Sequence, residues 1–483
     1  MRVLENLEPK KVFYYFEELC NIPHGSGNVE AISDYLKNFA QERKLEVIQD
    51  ELKNIIIIKE AVAGYENEPP VIIQGHMDMV AVHKPELVID MTKEPLKLKV
   101  DGDKVYAEGT SLGGDDGIAV AYALAILDDD AIKHPRLEVV ITVDEETGMH
   151  GARGIDLSML KGSRLLNIDS EEEGIFLTSC AGGARVECRL QPVFSQMQGN
   201  GYEILVGGLA GGHSGVEIHK ERGNANKLAG RLLWKLCMQE IEVGLVSAQG
   251  GMADNAIPRE TKLELMVETS QKENFEAVVK EFEAEVKAEL ASKDPDFYVS
   301  VTGEAEKEAR AVCGNELNVV AAFLNGLPNG VQAMSADIPG LVETSLNLGI
   351  LKCDESGLQA DFSVRSCIES AKQALLEKLM SIVVLAGGEA EVSGDYPGWA
   401  YRVNSPLRDK MVALYQEMYQ EEPKVEAIHA GLECGLLAGK IKDLDCVSFG
   451  PNMSNIHTTE ESLSISSAER VWQYLLRLLE QKG

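Results

Sequence analysis

The stretch VIIQGHMDMV, at positions 71–80, is a short β-branched run that leads into a histidine and an aspartate. Such runs are typical of strands that are buried on both faces of a parallel sheet. Three further apolar runs are followed by acids or by a histidine: 139–143 by Asp144-Glu145-Glu146, 165–168 by Asp169, and 446–449, a few residues later, by His457. Because ligands bind outside the carboxyl ends of the strands in open α/β sheets, we expect these side chains to converge.

Helical patterns alternate with these apolar runs. Apolar residues favour helices over 8–21, 29–43, 117–127, 406–419 and 467–481. Strands and helices in alternation are the pattern of a layered α/β protein. The sequence therefore predicts an α/β fold with an open, mostly parallel sheet and helices on both faces.

The middle of the chain has a different pattern. Segments such as ARVECRLQPV and KLELMVETS alternate apolar and polar residues, as strands with one solvated face do. Two amphipathic helices are predicted near 224–239 and 272–291. We therefore predict one sheet domain built from 1–183 and 398–483, interrupted by a separate α+β domain at 184–397.

Composition excludes several classes of protein. The 483 residues include 46 Lys and Arg against 78 Asp and Glu, a formal charge of −32, which disfavours nucleic acid and anionic membrane surfaces as partners. Hydrophobic residues make up 45%, enough for a sizeable core. No apolar stretch is long enough for a membrane span or a signal peptide. Nine scattered cysteines without a CxxC pair indicate a reducing compartment, and we expect a cytoplasmic protein.

A glycine-rich turn, LGGDDG at 112–117, adds Asp115 and Asp116 to the side chains at the strand ends. Each piece alone has an ordinary explanation, since a His-x-Asp pair is commonly hydrogen-bonded and acids before a helix serve as N-caps. Several acids packed together, however, do not all stay ionised without a cation. Mixed carboxylate and imidazole ligands suit zinc, or alternatively manganese or cobalt. The combination therefore predicts a metal site.

Several motifs resemble a known family. GHMDMV, GGDDGIAVA, TVDEETGMHGA, NIDSEE and the late NIH are similar to the five metal-site motifs of the aminoacylase/carboxypeptidase-like dinuclear zinc exopeptidases. IPHGSGN, NIDSEEEG, CAGGA, GGHSGVEIHKERGNANK and IHAGLECGL are similar to one branch of that family, the bacterial Xaa-His dipeptidases. The resemblance covers essentially the whole chain, in order.

The resemblance implies a role for each residue of the predicted site. One zinc ion would be held by His76 and Asp169 and the other by Glu146 and His457, with Asp115 bridging them. Asp78 would hydrogen-bond His76 and set its tautomer. Glu145 would be the general acid/base. The Asp115–Asp116 peptide would be a non-proline cis bond, and Asp116 would add a charge where the branch often has asparagine.

The resemblance also makes 184–397 a lid and dimerisation domain. His213 in GGHSG would help to stabilise the tetrahedral intermediate, although His219 lies close by in the sequence. Asn255 and Arg365 would bind the substrate's backbone and carboxylate, with a turn asparagine and a surface arginine as the alternatives. Glu433, in HAGLECG, belongs to a segment that lies near the substrate in the family.

The implied activity is a metal-dependent dipeptidase for Xaa-His dipeptides such as β-Ala-His. Two zinc ions per chain, with manganese or cobalt as substitutes, would activate a water, and Glu145 would move its proton. The expected partners are a small peptide substrate and a second copy of the chain in a homodimer, without nucleic acid or membrane. The alternatives are an aminoacylase, an N-carbamoyl hydrolase or a tripeptidase on the same scaffold, and an inactive metal-binding protein.

Overall fold

The structure is a computed structural model that describes residues 2–482. Its helices, in chain order, are α1 Lys10–Cys20, α2 Glu30–Glu42, α3 Gly114–Leu127, α4 His150–Gly154, α5 Ala225–Met238, α6 Lys272–Leu290, α7 Gly314–Gly326, α8 Glu369–Leu385, α9 Pro406–Tyr419, α10 Glu433–Lys440 and α11 Ile465–Glu480.

The strands are β1 Glu46–Gln49, β2 Ile55–Lys59, β3 Val71–His76, β4 Leu98–Asp101, β5 Lys104–Ala107, β6 Leu137–Thr142, β7 Arg164–Asn167, β8 Ile175–Cys180, β9 Gly182–Leu190, β10 Phe194–Gly207, β11 Gly212–His213, β12 Val243–Gly250, β13 Ala256–Ile257, β14 Thr261–Val267, β15 Tyr298–Cys313, β16 Gly330–Met334, β17 Val342–Asp354, β18 Gly357–Ser366, β19 Glu389–Tyr396, β20 Lys424–Ile428, β21 Asp445–Ser448, β22 Met453–Ser454 and β23 Ser462–Ser464.

The chain divides into two compact units. The first contains the described residues up to Ser179, Tyr401–Ala427, and the described residues from Leu432 onward. The second contains Cys180–Ala400 and Ile428–Gly431. Each unit buries its own hydrophobic cluster, so each has the core that an independent domain needs.

The sheet of the first unit runs in the order β1-β2-β6-β3-β7-β21-β8-β20. Its centre is parallel, because β3 pairs in parallel with both β6 and β7, and β7 pairs in parallel with β21. Antiparallel pairs lie outside that centre, including β1 with β2 and β2 with β6. Every residue of β2, β3 and β6 is buried, as expected for strands covered on both faces. The predicted α/β fold is confirmed, with parallel pairing in the central strands.

Helix α3 packs closely against the central strand β3. It is buried along nearly its whole length, which explains its Ala-rich sequence with no polar stripe. A Cβ atom on Gly75 would lie 2.8 Å from the Cβ of Ala119 and 2.4 Å from a carboxylate oxygen of Asp116. The helix and the strand can approach this far only because position 75 has no side chain.

The second unit is built on a largely antiparallel sheet in the order β14-β10-β15-β12-β17-β18-β9-β19. The long strands β10 and β15 pair from Phe194 with Val312 to Gly207 with Tyr298. The amphipathic helix predicted at 272–291 is observed as α6. Its apolar stripe is buried and consists of Phe275, Val278, Val279, Phe282 and Val286. This unit is the α+β region that the alternating pattern predicted.

Two further observations concern disulfide bonds and membrane-spanning helices. No disulfide joins any of the nine cysteines, all of which lie among the described residues. Across residues 2–482, no helix combines the length and the apolar character that crossing a bilayer requires.

Candidate active site

The central parallel strands bring the predicted site residues to one edge of the first unit's sheet. His76 is the last residue of β3 and is buried, and it lies opposite Thr142 at the end of β6. Glu145 and Glu146 follow β6, and Asp169 follows β7. Because these three strands run in the same direction, their carboxyl ends open onto the same edge.

Asp78 connects the end of β3 to the loop after β6. Its carboxylate accepts hydrogen bonds from the backbone N–H of Glu145 at 3.1 Å and of Glu146 at 3.4 Å, and from the Ser26 hydroxyl at 2.8 Å. The Nδ1 atom of His76 lies 3.0 Å from the backbone carbonyl oxygen of Asp78 and 3.5 Å from its carboxylate. The contact between His76 and the Asp78 carboxylate, which the sequence analysis expected, is therefore longer than the contact with the Asp78 carbonyl oxygen. The carboxylate is also held by the loop after β6.

These contacts set the tautomer of His76. Both oxygens that face Nδ1 are acceptors, so Nδ1 carries a proton and Nε2 is the nitrogen left for a metal ion. Nε2 points to Asp115 Oδ1, which lies 3.1 Å away. A histidine held in this way presents Nε2 as a metal ligand.

Asp115 lies between two imidazoles. Its Oδ1 is 3.1 Å from His76 Nε2, and its Oδ2 is 3.2 Å from His457 Nε2. The residue sits in the turn that opens α3, where Asp115 and Asp116 have non-helical backbone angles. The Asp115–Asp116 peptide is cis, as the resemblance implied. One carboxylate therefore faces both halves of the site, the position that a bridging ligand requires.

One further acid completes each half of the site. Asp169 Oδ1 lies 3.7 Å from His76 Nε2, and Glu146 Oε1 lies 2.9 Å from His457 Nε2. The structure thus brings together the five residues that the sequence analysis assigned to metal: His76, Asp115, Glu146, Asp169 and His457.

The donor set fits divalent metal ions. Two ligand atoms about 2.0–2.2 Å from one zinc ion stand roughly 3.3 Å apart at a tetrahedral angle. The separations of 2.9 to 3.7 Å between the imidazole nitrogens and the carboxylate oxygens bracket that value. Glu146 Oε1 is buried, yet no described residue donates a hydrogen bond to it, although His457 Nε2 is close. Imidazole and carboxylate ligands in this ratio suit zinc, manganese or cobalt.

Several acids of this cluster are buried and repel one another. Burial, together with the carboxylates of Asp115 and Glu146, raises the pKa of Asp169 to about 6, although hydrogen bonding to His76 opposes the rise. Burial also raises the pKa of Glu145 well above its ordinary value, with the nearby acids Asp169, Glu433 and Glu146 adding to the effect. Buried acids that repel each other in this way are stabilised by a bound cation.

The structure places Asp116 in a buried environment. It was expected to add a charge, but its side chain is fully buried and its Oδ2 accepts a hydrogen bond from the backbone N–H of His76 at 3.2 Å. Burial, followed by repulsion from Asp169, raises the pKa of Asp116 well above its ordinary value. Its burial thus disfavours the charged form, and it lies close enough to His76 and Asp169 to serve as a further ligand.

Two buried acids of the first unit were missed or given little weight by the sequence analysis. Glu433 is fully buried and accepts hydrogen bonds of 2.6 Å from Gln74 Nε2 and Thr142 Oγ1, next to the ends of β3 and β6. Burial raises the pKa of Glu433 to about 7. Glu461 is buried beside the turn at 112–114. The only sequence signal for Glu461 was an acid four residues after His457, which alone is too common to single out.

Of the two candidate histidines in the second unit, His213 is the one in a defined environment. Its Nδ1 accepts hydrogen bonds from the backbone N–H of Gly215 at 3.1 Å and of Val216 at 3.3 Å, so a neutral ring carries its proton on Nε2. Burial, followed by repulsion from Arg365, lowers the pKa of His213 and keeps the ring neutral. His219 is exposed. His213 is thus a neutral hydrogen-bond donor through Nε2.

Arg365 and Asn255 lie in the same unit. Arg365 is on β18, and its Nη1 donates to the Tyr396 hydroxyl at 3.3 Å, while its buried Nε has no hydrogen-bond partner among the described residues. Burial is the larger cause of the lowered pKa values of His213 and His429, and the charge of Arg365 lowers both further. Asn255 is exposed, and its carbonyl oxygen accepts from the backbone N–H of Ser214, next to His213. The surface arginine expected as an alternative is therefore a partly buried cation.

Comparison with known proteins connects this geometry to a family. Over its full length, the chain is 37% identical to the cytosol non-specific dipeptidase of Escherichia coli, of which it covers 99%. It is similar to the crystal structure of an aminoacylhistidine dipeptidase from Vibrio alginolyticus, with a TM-score of 0.94, 36% identity, and coverage of 99% of this chain and 98% of that one. A tripeptidase from Staphylococcus aureus, 16% identical with a TM-score of 0.54 and 98% of both chains covered, shares the fold alone.

Family membership follows from these similarities. Residues 72–481, most of the chain, match the peptidase family M20/M25/M40. That match spans both units and includes every residue of the metal cluster described above. The chain belongs to peptidase family M20/M25/M40 and is a metal-dependent peptide-bond hydrolase.

Proposed function

We propose that this peptidase is a zinc-dependent dipeptidase that hydrolyses dipeptides of the Xaa-His type, such as β-Ala-His. The observation that carries the proposal is the Asp115 carboxylate, whose two oxygens face His76 and His457 at 3.1 and 3.2 Å. The names of two full-length relatives support a dipeptidase, one called a non-specific dipeptidase and the other an aminoacylhistidine dipeptidase. Xaa-His dipeptides are the substrates common to both names.

The metal ligands in this proposal come from the first unit. His76 and Asp169 would hold one zinc ion and Glu146 and His457 the other, with Asp115 shared between them. When bound, such a pair lowers the pKa of a water towards neutrality and polarises the carbonyl of the peptide bond. Manganese or cobalt are the proposed substitutes, because they accept the same ligands.

Glu145 is the proposed general acid/base. Burial and the neighbouring acids raise the pKa of Glu145 above the ordinary value, which favours uptake of a proton by its carboxylate. The Asp78 carboxylate accepts a hydrogen bond from the backbone N–H of Glu145, which holds Glu145 in the loop after β6. Glu145 would take a proton from the attacking water and deliver it to the leaving amine.

The substrate roles in the second unit are proposed from the resemblance. His213 would donate through Nε2–H to the carbonyl oxygen, and its hydrogen bonds at Nδ1 support this because they leave the proton on Nε2. Arg365 would bind the C-terminal carboxylate of the peptide, for which a partly buried guanidinium is well suited. Asn255 would bind the peptide backbone.

Location and assembly complete the proposal. We place the protein in the cytoplasm, where thiols that form no disulfide are stable, and where the E. coli relative is placed by its name. We also propose a homodimer in which the second unit provides both the lid and the dimer contact.

One sample tests the central proposal. The purified chain is analysed for metal content and assayed with β-Ala-His, Ala-His, Ala-Ala, Ala-Ala-Ala, N-acetyl-alanine and N-carbamoyl-alanine. We expect about two zinc ions per chain, preference for dipeptides with histidine second, and loss of metal and activity together on chelation or at acid pH. Preference for the acyl or carbamoyl substrates or the tripeptide, full activity without metal, or bound metal without hydrolysis would contradict the proposal.

A further inference from the structure

A buried carboxylate outside the ligand set anchors the turn that carries Asp115. Glu461 is 3% exposed. Its Oε2 accepts hydrogen bonds from the backbone N–H of Leu112 at 2.8 Å and of Gly113 at 3.2 Å, and its Oε1 accepts from Gly114 at 2.8 Å. Three consecutive backbone N–H groups that converge on one anion form a nest, a strong way to hold a turn in place.

Glu461 belongs to the segment that carries a second metal-cluster residue. His457 lies four residues earlier, after β22, and Glu461 directly precedes β23, which pairs with β5. Its own backbone N–H donates to the Thr458 carbonyl at 3.3 Å. The carboxylate therefore has a fixed base and spans 347 residues of sequence to reach Gly114.

We propose that Glu461 is a positioning residue that holds Asp115 and His457 at the separation at which both can bind one metal ion. The inference rests on the metal assignment of the proposed function. Asp115 follows Gly114 directly, so the three hydrogen bonds of Glu461 determine where the Asp115 carboxylate lies. His457 is connected to Glu461 by a short turn, so one side chain places both residues.

The expected consequence is larger for one half of the metal site than for the other. One half of the site consists of Asp115, Glu146 and His457. Glu461 places two of these three residues, Asp115 and His457. His76 and Asp169 are placed instead by β3 and by the end of β7. Loss of the Glu461 charge is therefore expected to weaken binding of one ion more than the other.

The test compares three variants of the full-length chain. Glu461→Gln removes the charge and presents an amide N–H₂ group to backbone N–H groups, while Glu461→Asp keeps the charge on a shorter side chain. Glu460→Gln is the matched control, because Glu460 is exposed and pairs with Lys84 Nζ at 2.6 Å on the surface. Each metal-free protein is titrated with zinc in competition with a chelator, and its metal-free thermal midpoint is measured.

We expect Glu460→Gln to bind two zinc ions with the same affinities as the wild type. In Glu461→Gln, affinity for one of the two ions falls about 10–100-fold, as is typical when a group that orients a ligand is removed. The zinc affinity of Glu461→Asp should lie between those of the wild type and Glu461→Gln. With β-Ala-His, kcat of Glu461→Gln should fall at limiting zinc and recover with excess zinc, while KM stays near the wild-type value.

Each other outcome decides against the inference. Wild-type zinc affinity in Glu461→Gln overturns it, whatever the thermal midpoint, and so does an equal loss in Glu460→Gln. If neither Glu461 variant folds, the carboxylate is needed for folding and the positioning role is overturned. Failure of the wild-type chain to bind zinc overturns the proposed function first, and this inference with it.

Discussion

Glu145 and Glu146 are neighbours in sequence with different surroundings. Glu146 Oε1 lies 2.9 Å from His457 Nε2, within the metal cluster. That contact involves Glu146 and not Glu145. Burial raises the pKa of Glu145 well above the ordinary value. Adjacent carboxylates of the same chemical type thus acquire different proposed roles, one as ligand and one as general acid/base.

Replacement of Glu145 by Gln separates these roles. The amide keeps the shape of the side chain and removes the proton carrier, so we expect kcat for β-Ala-His to fall about 10²–10⁴-fold. Metal content should remain near two ions per chain, and KM should change little. Steady-state kinetics and metal analysis of the same preparation measure all three quantities.

The matched control is Glu146→Gln, which should lose metal. The proposed assignment would be wrong if Glu145→Gln kept near-normal kcat, or if it lost metal as Glu146→Gln is expected to do.

His429 predicts how stability depends on pH. His429 is 6% exposed, and its Nε2 lies 2.7 Å from the Ser345 hydroxyl. Burial, followed by repulsion from Arg365, lowers the pKa of His429 to about 3. Because the folded-state pKa lies below the unfolded value of about 6.5, this group's contribution to stability is complete above pH 6.5 and is lost as pH falls towards 3.

Between pH 7.5 and 5.5, this histidine should therefore lower the free energy of unfolding by about 1.4 kcal/mol. Urea denaturation at both pH values, for wild type and for His429→Gln, measures the effect. The Gln side chain can keep a hydrogen bond to Ser345 but does not titrate, so the variant should lose about 1.4 kcal/mol less than wild type. Equal losses in both proteins would show that His429 is not the group responsible.

At the scale of the elements, the packing of α3 on β3 holds the two halves of the site together. Asp115 opens α3 and His76 ends β3, and the two elements meet at Gly75. A Cβ atom at position 75 would lie 2.4 Å from the carboxylate of Asp116 and 2.8 Å from Ala119. An added methyl group must therefore separate the helix from the strand.

We expect Gly75→Ala to lower the free energy of unfolding by about 1–3 kcal/mol, as overpacking a close contact typically does. Zinc affinity should fall with it, because the helix that carries Asp115 moves. Gly326→Ala is the control, since a Cβ atom on that glycine, the last residue of α7, has no neighbour within 4 Å and should change stability by less than about 0.5 kcal/mol. Equal stability of the two variants would contradict the close packing.

At the scale of the whole molecule, the proposed contact between Arg365 and the C-terminal carboxylate of the substrate can be tested. Arg365→Ala is expected to raise KM for free dipeptides about 10–100-fold, since a charged hydrogen bond contributes about 1.5–3 kcal/mol. C-terminal amides of the same dipeptides lack the carboxylate and should lose little. Michaelis constants for paired acid and amide substrates measure the difference, and an equal loss for both would assign Arg365 a structural role.

Much of the fold could be predicted because it depends on local patterns. The buried runs of β2, β3 and β6 are continuous because both faces are covered, and the stripe of α6 repeats at helical spacing. The cluster could also be predicted, since the carboxyl ends of parallel strands share one edge and the residues after those strands are acids and histidines.

Only the tertiary structure decided which contacts those residues make. The positions of the two Asp115 oxygens, the burial of Asp116 and the donors around Asp78 depend on which segments pack together. Glu461 is the clearest case, because its hydrogen-bond partner Leu112 lies 349 residues away. Periodicity in a sequence reports which side of an element is buried, but a hydrogen bond depends on the partner that folding brings within about 3 Å.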